Sequence, residues 1–284
     1  MIEMDLCVVC RNREAQFRPF WSGLKQCCNC GHCVADINSK DLNFKNIYKD
    51  SYFSGDEYSD YLRDRPVFEK QFQSRLNDIF RFKKRGKLIE IGCAYGFFLA
   101  VAKGSFSVKG FDIAEGPTTY AREVLGVDAQ SDDFLDAQLE PESVDIIVMW
   151  DVIEHLPRPD LTVEKAAKIL RPGGLIFITT GDIGSILAKL MQEKWRLIHP
   201  PTHLNYFNRK SISEMLANFG MDTIEIKSIG SRRSLRQIAY SLLALGKDHP
   251  SSLYRFIEKS SIGDFSFVLN TYDIMLVVGQ KKSI

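Results

Sequence analysis

From residue 87 onward the chain alternates two hydrophobic patterns. Short, almost unbroken apolar runs, KLIEIG (87–92), SVKGFDI (107–113), a weak VDAQ (127–130), SVDIIVMW (143–150) and LIFITT (175–180), read as strands buried on both faces. Between them, GFFLAVAK (96–103), the stretch through TTYAREVLG (118–126) and DLTVEKAAKILRPGG (160–174) repeat apolar residues at helical spacing, the last closed by Pro172, Gly173 and Gly174. RKSISEMLANFG (209–220) reads as a further helix ended by Gly220, and MDTIEIKSIG (221–230) and TYDIMLVVGQK (271–281) as strands six and seven. SRRSLRQIAYSLLALGKD (231–248) predicts one amphipathic helix, with Arg232, Arg233 and Arg236 at its start as a solvated face or a phosphate contact. The alternation predicts an α/β fold with a mostly parallel sheet covered by helices on both faces. Upstream, 65–82 predicts a helix with Phe68, Phe72, Leu76, Ile79 and Phe80 on one face. Before it, 44–64 alternates aromatics with charges, so Tyr52, Phe53, Tyr58 and Tyr61 are candidates for a lid over a pocket, or for plain packing.

Sheets of this kind bind ligands at the carboxyl ends of their strands. There the chain reads Glu90-x-Gly92-x-x-x-Gly96 as strand one turns into a helix, and Asp112 closes strand two. Gly92 lets a ligand approach the backbone, Gly96 permits a tight helix entry, and the Asp112 carboxylate can accept from both hydroxyls of a ribose. A dinucleotide fingerprint would need glycine near Ala94 and different spacing. Glu90 at that place repels phosphate and attracts an ammonium group. The ligand so described is a nucleoside with a cationic amino-acid tail, which is S-adenosylmethionine.

Six of the seven cysteines fall within the first 33 residues. Cys7 and Cys10 form one C-x2-C pair, and Cys27 and Cys30 form another, followed by Gly31. Two such turns can complete a tetrahedron of thiolates, which favours zinc in a closed, structural site. Cys28 and Cys33 complicate the set, since Cys30 and Cys33 share the same spacing and His32 could replace a thiolate. The expected organisation is a zinc-ribbon-like module over 1–40, a helical and aromatic bridge over 41–85, and the α/β domain over 86–284.

Lysine plus arginine number 37 against 36 acids, a formal charge of +1. That balance argues against a surface built to grip nucleic acid. The acidic N-terminus lacks the pattern of a secretory signal, and no segment is apolar for long enough to span a membrane. A cytoplasmic protein is expected.

EIGCAYG, the acid of GFDI, SDDF (131–134), and VDIIVMWDVIEHLPRP (144–159) followed by ILRPGGLIFITT together resemble the class I S-adenosylmethionine-dependent methyltransferases. The cysteine module, the HPPTHLNYF segment (199–207) and the YDIMLVVGQKK ending resemble a branch acting on small molecules such as sugars, sugar nucleotides, lipids or natural-product intermediates. The resemblance implies a seven-stranded Rossmann-like sheet, with strand seven antiparallel between five and six. It places Glu90, Gly92, Cys93, Tyr95 and Gly96 around the methionine end and Asp112 on the ribose. Ile113, Asp133 and the Phe134 backbone would meet the adenine, and Trp150 and Asp151 the floor. Asp133 has a plainer alternative as N-cap of a helix through DFLDAQL, and Trp150 as core. The candidates for assisting the chemistry are His155, His199, His203 and Tyr206, although a sulfonium methyl is already activated and proximity alone can serve, without a catalytic metal. The expected reaction is methyl transfer to a small-molecule acceptor. An rRNA or tRNA methyltransferase using the cysteine module, and a non-catalytic binding protein on the same fold, are the alternatives.

Overall fold

The computed structural model describes residues 6–37, 60–244 and 251–283. Near the front, β1 (Phe17–Pro19), β2 (Leu24–Cys27) and β3 (Cys33–Ala35) form an antiparallel sheet around the cysteines. Next in the chain come α1 (Arg65–Phe80), β4 (Gly86–Ile91), α2 (Phe97–Ala102), β5 (Phe106–Phe111), α3 (Glu115–Glu123), β6 (Ala129–Gln130), β7 (Val144–Trp150), α4 (Pro159–Ile169) and β8 (Leu170–Gly181). A two-residue strand, β9 (Asn205–Tyr206), precedes β10 (Met221–Ser228), β11 (Ser231–Ser234), β12 (Ser266–Leu269) and β13 (Ile274–Lys281).

The main sheet has seven strands in the order β10-β13-β8-β7-β4-β5-β6. Strands β8, β7, β4, β5 and β6 run parallel, and β13 lies antiparallel between β8 and β10, as the resemblance implied. Successive residues point to opposite faces, so each central strand feeds two cores. Ile89, Ile91, Ile147 and Met149 join Ile176 and Ile178 on one face, while Leu88, Ile146, Val148 and Trp150 join Phe177 on the other. All seven residues of β7 are buried, which explains why its run is apolar except for Asp145. Each such side chain contributes about 1.5–3 kcal/mol on burial. Glu90 falls on the second face by the same alternation, a carboxylate in a greasy layer.

Helix α1 buries Leu76 and Ile79 and lays Phe68, Phe72 and Phe80 against that second core. Gly96 sits at φ 71° before α2, and a β-carbon there would come within 2.8 Å of Ala121 on α3. This glycine therefore sets how closely two helices approach.

Two expectations are corrected. Residues 231–234 form β11, paired with β12, and the helix begins only at Leu235. Arg236 is not a solvated cation: it is 3% exposed and ion-paired to Asp64 and Asp264. DFLDAQL is a turn, in which Asp133 Oδ1 accepts from the Leu135 N–H at 2.8 Å, so no helix is capped there. Tyr52, Phe53 and Tyr58 lie outside the described residues. Among those described, no helix is long and apolar enough to cross a membrane.

The small sheet is completed from the main domain. Strand β9 pairs with β3, setting Tyr206 opposite Cys33 and Asn205 opposite Val34. Cys7, Cys27 and Cys30 share one core with Phe207, Ile212 and Met215. The cysteine module is thus anchored to the segment that follows β8.

Candidate active site

A cavity of about 300 Å³ opens where β4, β5 and β7 end. Gly92, Ala94, Asp112, Ile113, Asp133 and Phe134 line one side of it. Trp150, Asp151, Val152 and His155 form the floor, with Tyr61, Phe68 and Phe72 across from them. Strands deliver these residues because each ends where its apolar run ends, and the polar side chain falls at the rim. A larger depression of about 670 Å³ beside Asp182 and Arg209 collects none of the residues marked in the sequence.

Asp112 is held from both sides. Oδ2 accepts from the Ala94 N–H at 2.8 Å and Oδ1 from the Ala114 N–H at 2.9 Å. Each oxygen keeps a further lone pair for an incoming hydroxyl. Burial raises its pKa, opposed by these backbone donors. The cradle depends on strained backbone: Ala94 has φ 43° and Asp151 φ 56°, both in the left-handed region that a side chain disfavours. Gly92, at φ 73°, has Val152 so close that an added β-carbon would meet it at 2.5 Å. Asp151 is fixed by Thr179, whose hydroxyl donates to its Oδ1 at 2.8 Å.

Two buried polar atoms here have no hydrogen-bond partner, Trp150 Nε1 and Glu90 Oε2. Glu90 is 3% exposed, and burial together with the Asp112 charge pushes its carboxyl well above the ordinary carboxylate range. It is not among the residues lining the cavity, and neither are Cys93, Tyr95 and Gly96. Cys93 is buried and its sulfur occupies the space that a β-carbon on Gly110 would need. The Tyr95 ring stacks on Tyr61 at 5.5 Å and Phe97 at 5.9 Å.

The histidines separate. His155 borders the cavity, and the His203 ring stands 4.6 Å from it, edge to face. His155 Nδ1 lies 2.9 Å from the Thr202 carbonyl and His203 Nδ1 2.8 Å from the Leu197 carbonyl. A carbonyl only accepts, so both Nδ1 atoms carry the proton. Burial pushes His155 down to about 4 and His203 to about 3. His199 is exposed, with Nδ1 against the Thr202 hydroxyl at 2.7 Å. Tyr206 is buried, and its hydroxyl donates to the His203 carbonyl while accepting from the His199 N–H.

Sequence reasoning passed over Glu154 and Asn205. The first is a buried acid inside an apolar stretch, which was its only signal. The second has Nδ2 donating to the Leu156 carbonyl and Oδ1 facing His32 Nε2 at 3.2 Å, so it joins the cysteine module to the loop carrying His155.

In that module one sulfur each from Cys7, Cys10, Cys27 and Cys30 lies within 4.8 Å of the others. The Cys30 thiol is lowered to about 5, chiefly by hydrogen bonding from Cys7. Cys33 donates to the Gly31 carbonyl and Cys28 is exposed, so neither belongs to the cluster. His32 is fully buried on Asn205.

A family model described as "Methyltransferase domain" matches residues 61–226. A ubiquinone biosynthesis O-methyltransferase of Hydrogenovibrio crunogenus is 32% identical over 40% of this chain and 46% of its own length. A malonyl-[acyl-carrier protein] O-methyltransferase of Methylococcus capsulatus is 31% identical over 57% of this chain and 60% of its own. The chain spans only about a third to two-thirds of the length of such curated relatives (33% to 67%). In fold it is similar to an S-adenosylmethionine-dependent methyltransferase of Thermotoga maritima, titled a possible histamine N-methyltransferase, with TM-score 0.52 and 21% identity over 78% of this chain and 95% of that one.

Proposed function

The chain belongs to the methyltransferase-domain family, and from that premise we propose that it transfers a methyl group from S-adenosylmethionine to a small-molecule acceptor. The observation that carries this reading is the Asp112 carboxylate, set by two backbone N–H groups at the end of β5 and facing the cavity. The residues present fit the cofactor. Asp112 would take the ribose hydroxyls, Ile113 would pack on the adenine, the Phe134 backbone would read the ring, and Asp133 would take its amino group. Trp150 Nε1, a buried donor with no partner, would find an acceptor in the bound molecule. Gly92 would let the methionine end lie against the backbone. Glu90, its carboxyl raised by burial, would lose its proton as the cationic tail binds and so favour that tail, and Cys93, Tyr95 and Gly96 would shape the turn without touching it.

The bound cofactor supplies an activated methyl group, and the chain supplies placement. Tyr61, Phe68 and Phe72 exclude water from one side of the cavity. His155 and His203, held neutral by burial, are weak proton acceptors, so their part is to bind and orient the acceptor rather than to store its proton. His199 and Tyr206 would support His203 through the loop. The acceptor class follows from the relatives, O-methyltransferases named for small or carrier-bound molecules. The near-neutral charge supports the same class.

The four converging sulfurs suit zinc, in a closed structural site. The reading is tested by incubating the chain with methyl-labelled S-adenosylmethionine and a panel of phenolic, carboxylate and carrier-bound acceptors. Label should pass to an organic product with release of S-adenosylhomocysteine; label passing only to tRNA or rRNA would overturn the acceptor class.

A further inference from the structure

Beside the cavity is a second group of metal-ligating side chains. Glu154, His155 and His203 each bring one donor atom within 4.8 Å of the other two. Ligands lie about 2.0–2.2 Å from a zinc-like ion, so two on one centre stand up to about 4.2 Å apart, and modest side-chain rotation would close the set.

Three independent features point to a ligand. Glu154 is 6% exposed; Thr180 bonds to its carboxyl group, yet Oε2 has no hydrogen-bond partner within normal distance among the described residues, a costly state for a buried oxygen. Both imidazoles turn Nδ1 to a backbone carbonyl, which is how metal-bound histidines are oriented. Between Glu154, Thr180, His203 and Tyr206 lies a small space of about 10 Å³, room for a single small occupant.

We propose that Glu154, His155 and His203 bind one divalent transition ion, of the zinc, iron(II), cobalt or manganese class, in the wall of the cavity. Two imidazoles and one carboxylate select that class over calcium or magnesium, and three ligands leave open positions. Because His155 also borders the main cavity, an open position there can take an oxygen of the acceptor and hold it beside the cofactor. The loop 199–206 presents His203, and Leu204 fastens that loop by donating its N–H to the Glu154 carbonyl at 2.8 Å. On this proposal the ion orients the acceptor, whereas the sequence alone points to placement without a metal. That role rests on the methyltransferase reading; the existence of the site does not.

The probe is cobalt(II) added to the full chain with its cysteine cluster already filled. One added equivalent should bind, with visible bands of nitrogen and oxygen coordination and no sulfur charge-transfer band. His203→Ala and Glu154→Gln should each weaken this binding at least 10-fold and leave the cysteine cluster's metal content unchanged. X-ray absorption at the cobalt edge of the unmodified chain, needing no variant, should show two imidazoles and no sulfur. Absence of an added equivalent, sulfur ligation of it, or undiminished affinity in either variant overturns the proposal. Cobalt binding without any methyl transfer would leave the site standing and remove the methyltransferase reading instead.

Discussion

At the scale of single residues, the site is built from groups held in unfavourable states. Ala94 occupies a left-handed conformation because its N–H is needed by Asp112. Ala94→Gly relieves that strain at some cost in unfolded-chain entropy, so a net gain of about 0.5–1 kcal/mol is expected in denaturant unfolding. Glu90 is the reverse case, since its carboxyl is raised in the folded state from an ordinary value of 4.5. The folded chain then holds a proton that the unfolded chain has lost, so this group's stabilisation is complete below its unfolded pKa and declines as pH rises towards the folded one. Glu90→Gln should raise the melting temperature of the cofactor-free protein at neutral pH and flatten its pH dependence above about 4.3, the usual glutamate pKa. It should also weaken binding of a cationic cofactor. A variant that melts no higher at pH 8 than the parent would show that Glu90 is not buried as described.

Among the elements, legibility followed hydrophobic pattern. Strands β4, β7 and β8 could be read directly because a stretch buried on both faces is almost continuously apolar, and α1 because one helical face carries Phe68, Phe72, Leu76 and Ile79. Residues 231–234 could not, since Arg232 and Arg233 sit in a short edge pairing with β12 that no local period encodes, whereas the helix over 235–243 is legible in its pattern. Arg236 looked solvated because its partners, Asp64 and Asp264, are distant in sequence. Asp112 was legible from its place after a strand, whereas the union of Glu154, His155 and His203 depends on a loop returning across the sheet end. Asn205 holds that return. Asn205→Ala removes a buried bond to the Leu156 carbonyl and leaves His32 unpartnered. A loss of about 1–3 kcal/mol is expected by equilibrium unfolding, with a raised KM for the acceptor.

At the scale of the whole molecule, the cysteine module and the α/β domain are one cooperative body. Cys7, Cys27 and Cys30 pack into the core that holds Phe207 and Met215, and β9 closes the small sheet. Removing the proposed ion from the four sulfurs, with a strong chelator or by Cys27→Ser, should therefore lower the melting temperature of the entire chain in a single transition. Acceptor turnover should fall with it, because His203 stands three residues before Tyr206 of β9. Two separate transitions, with the larger unmoved, would show that the module is an independent appendage. The most direct measurement for the central claim is calorimetric titration of S-adenosylmethionine into the parent chain and into Asp112→Ala, with folding of both checked by melting. Loss of two charge-assisted bonds predicts affinity at least about 100-fold weaker in the variant. Equal affinity in the two, or no binding to the parent, would contradict it.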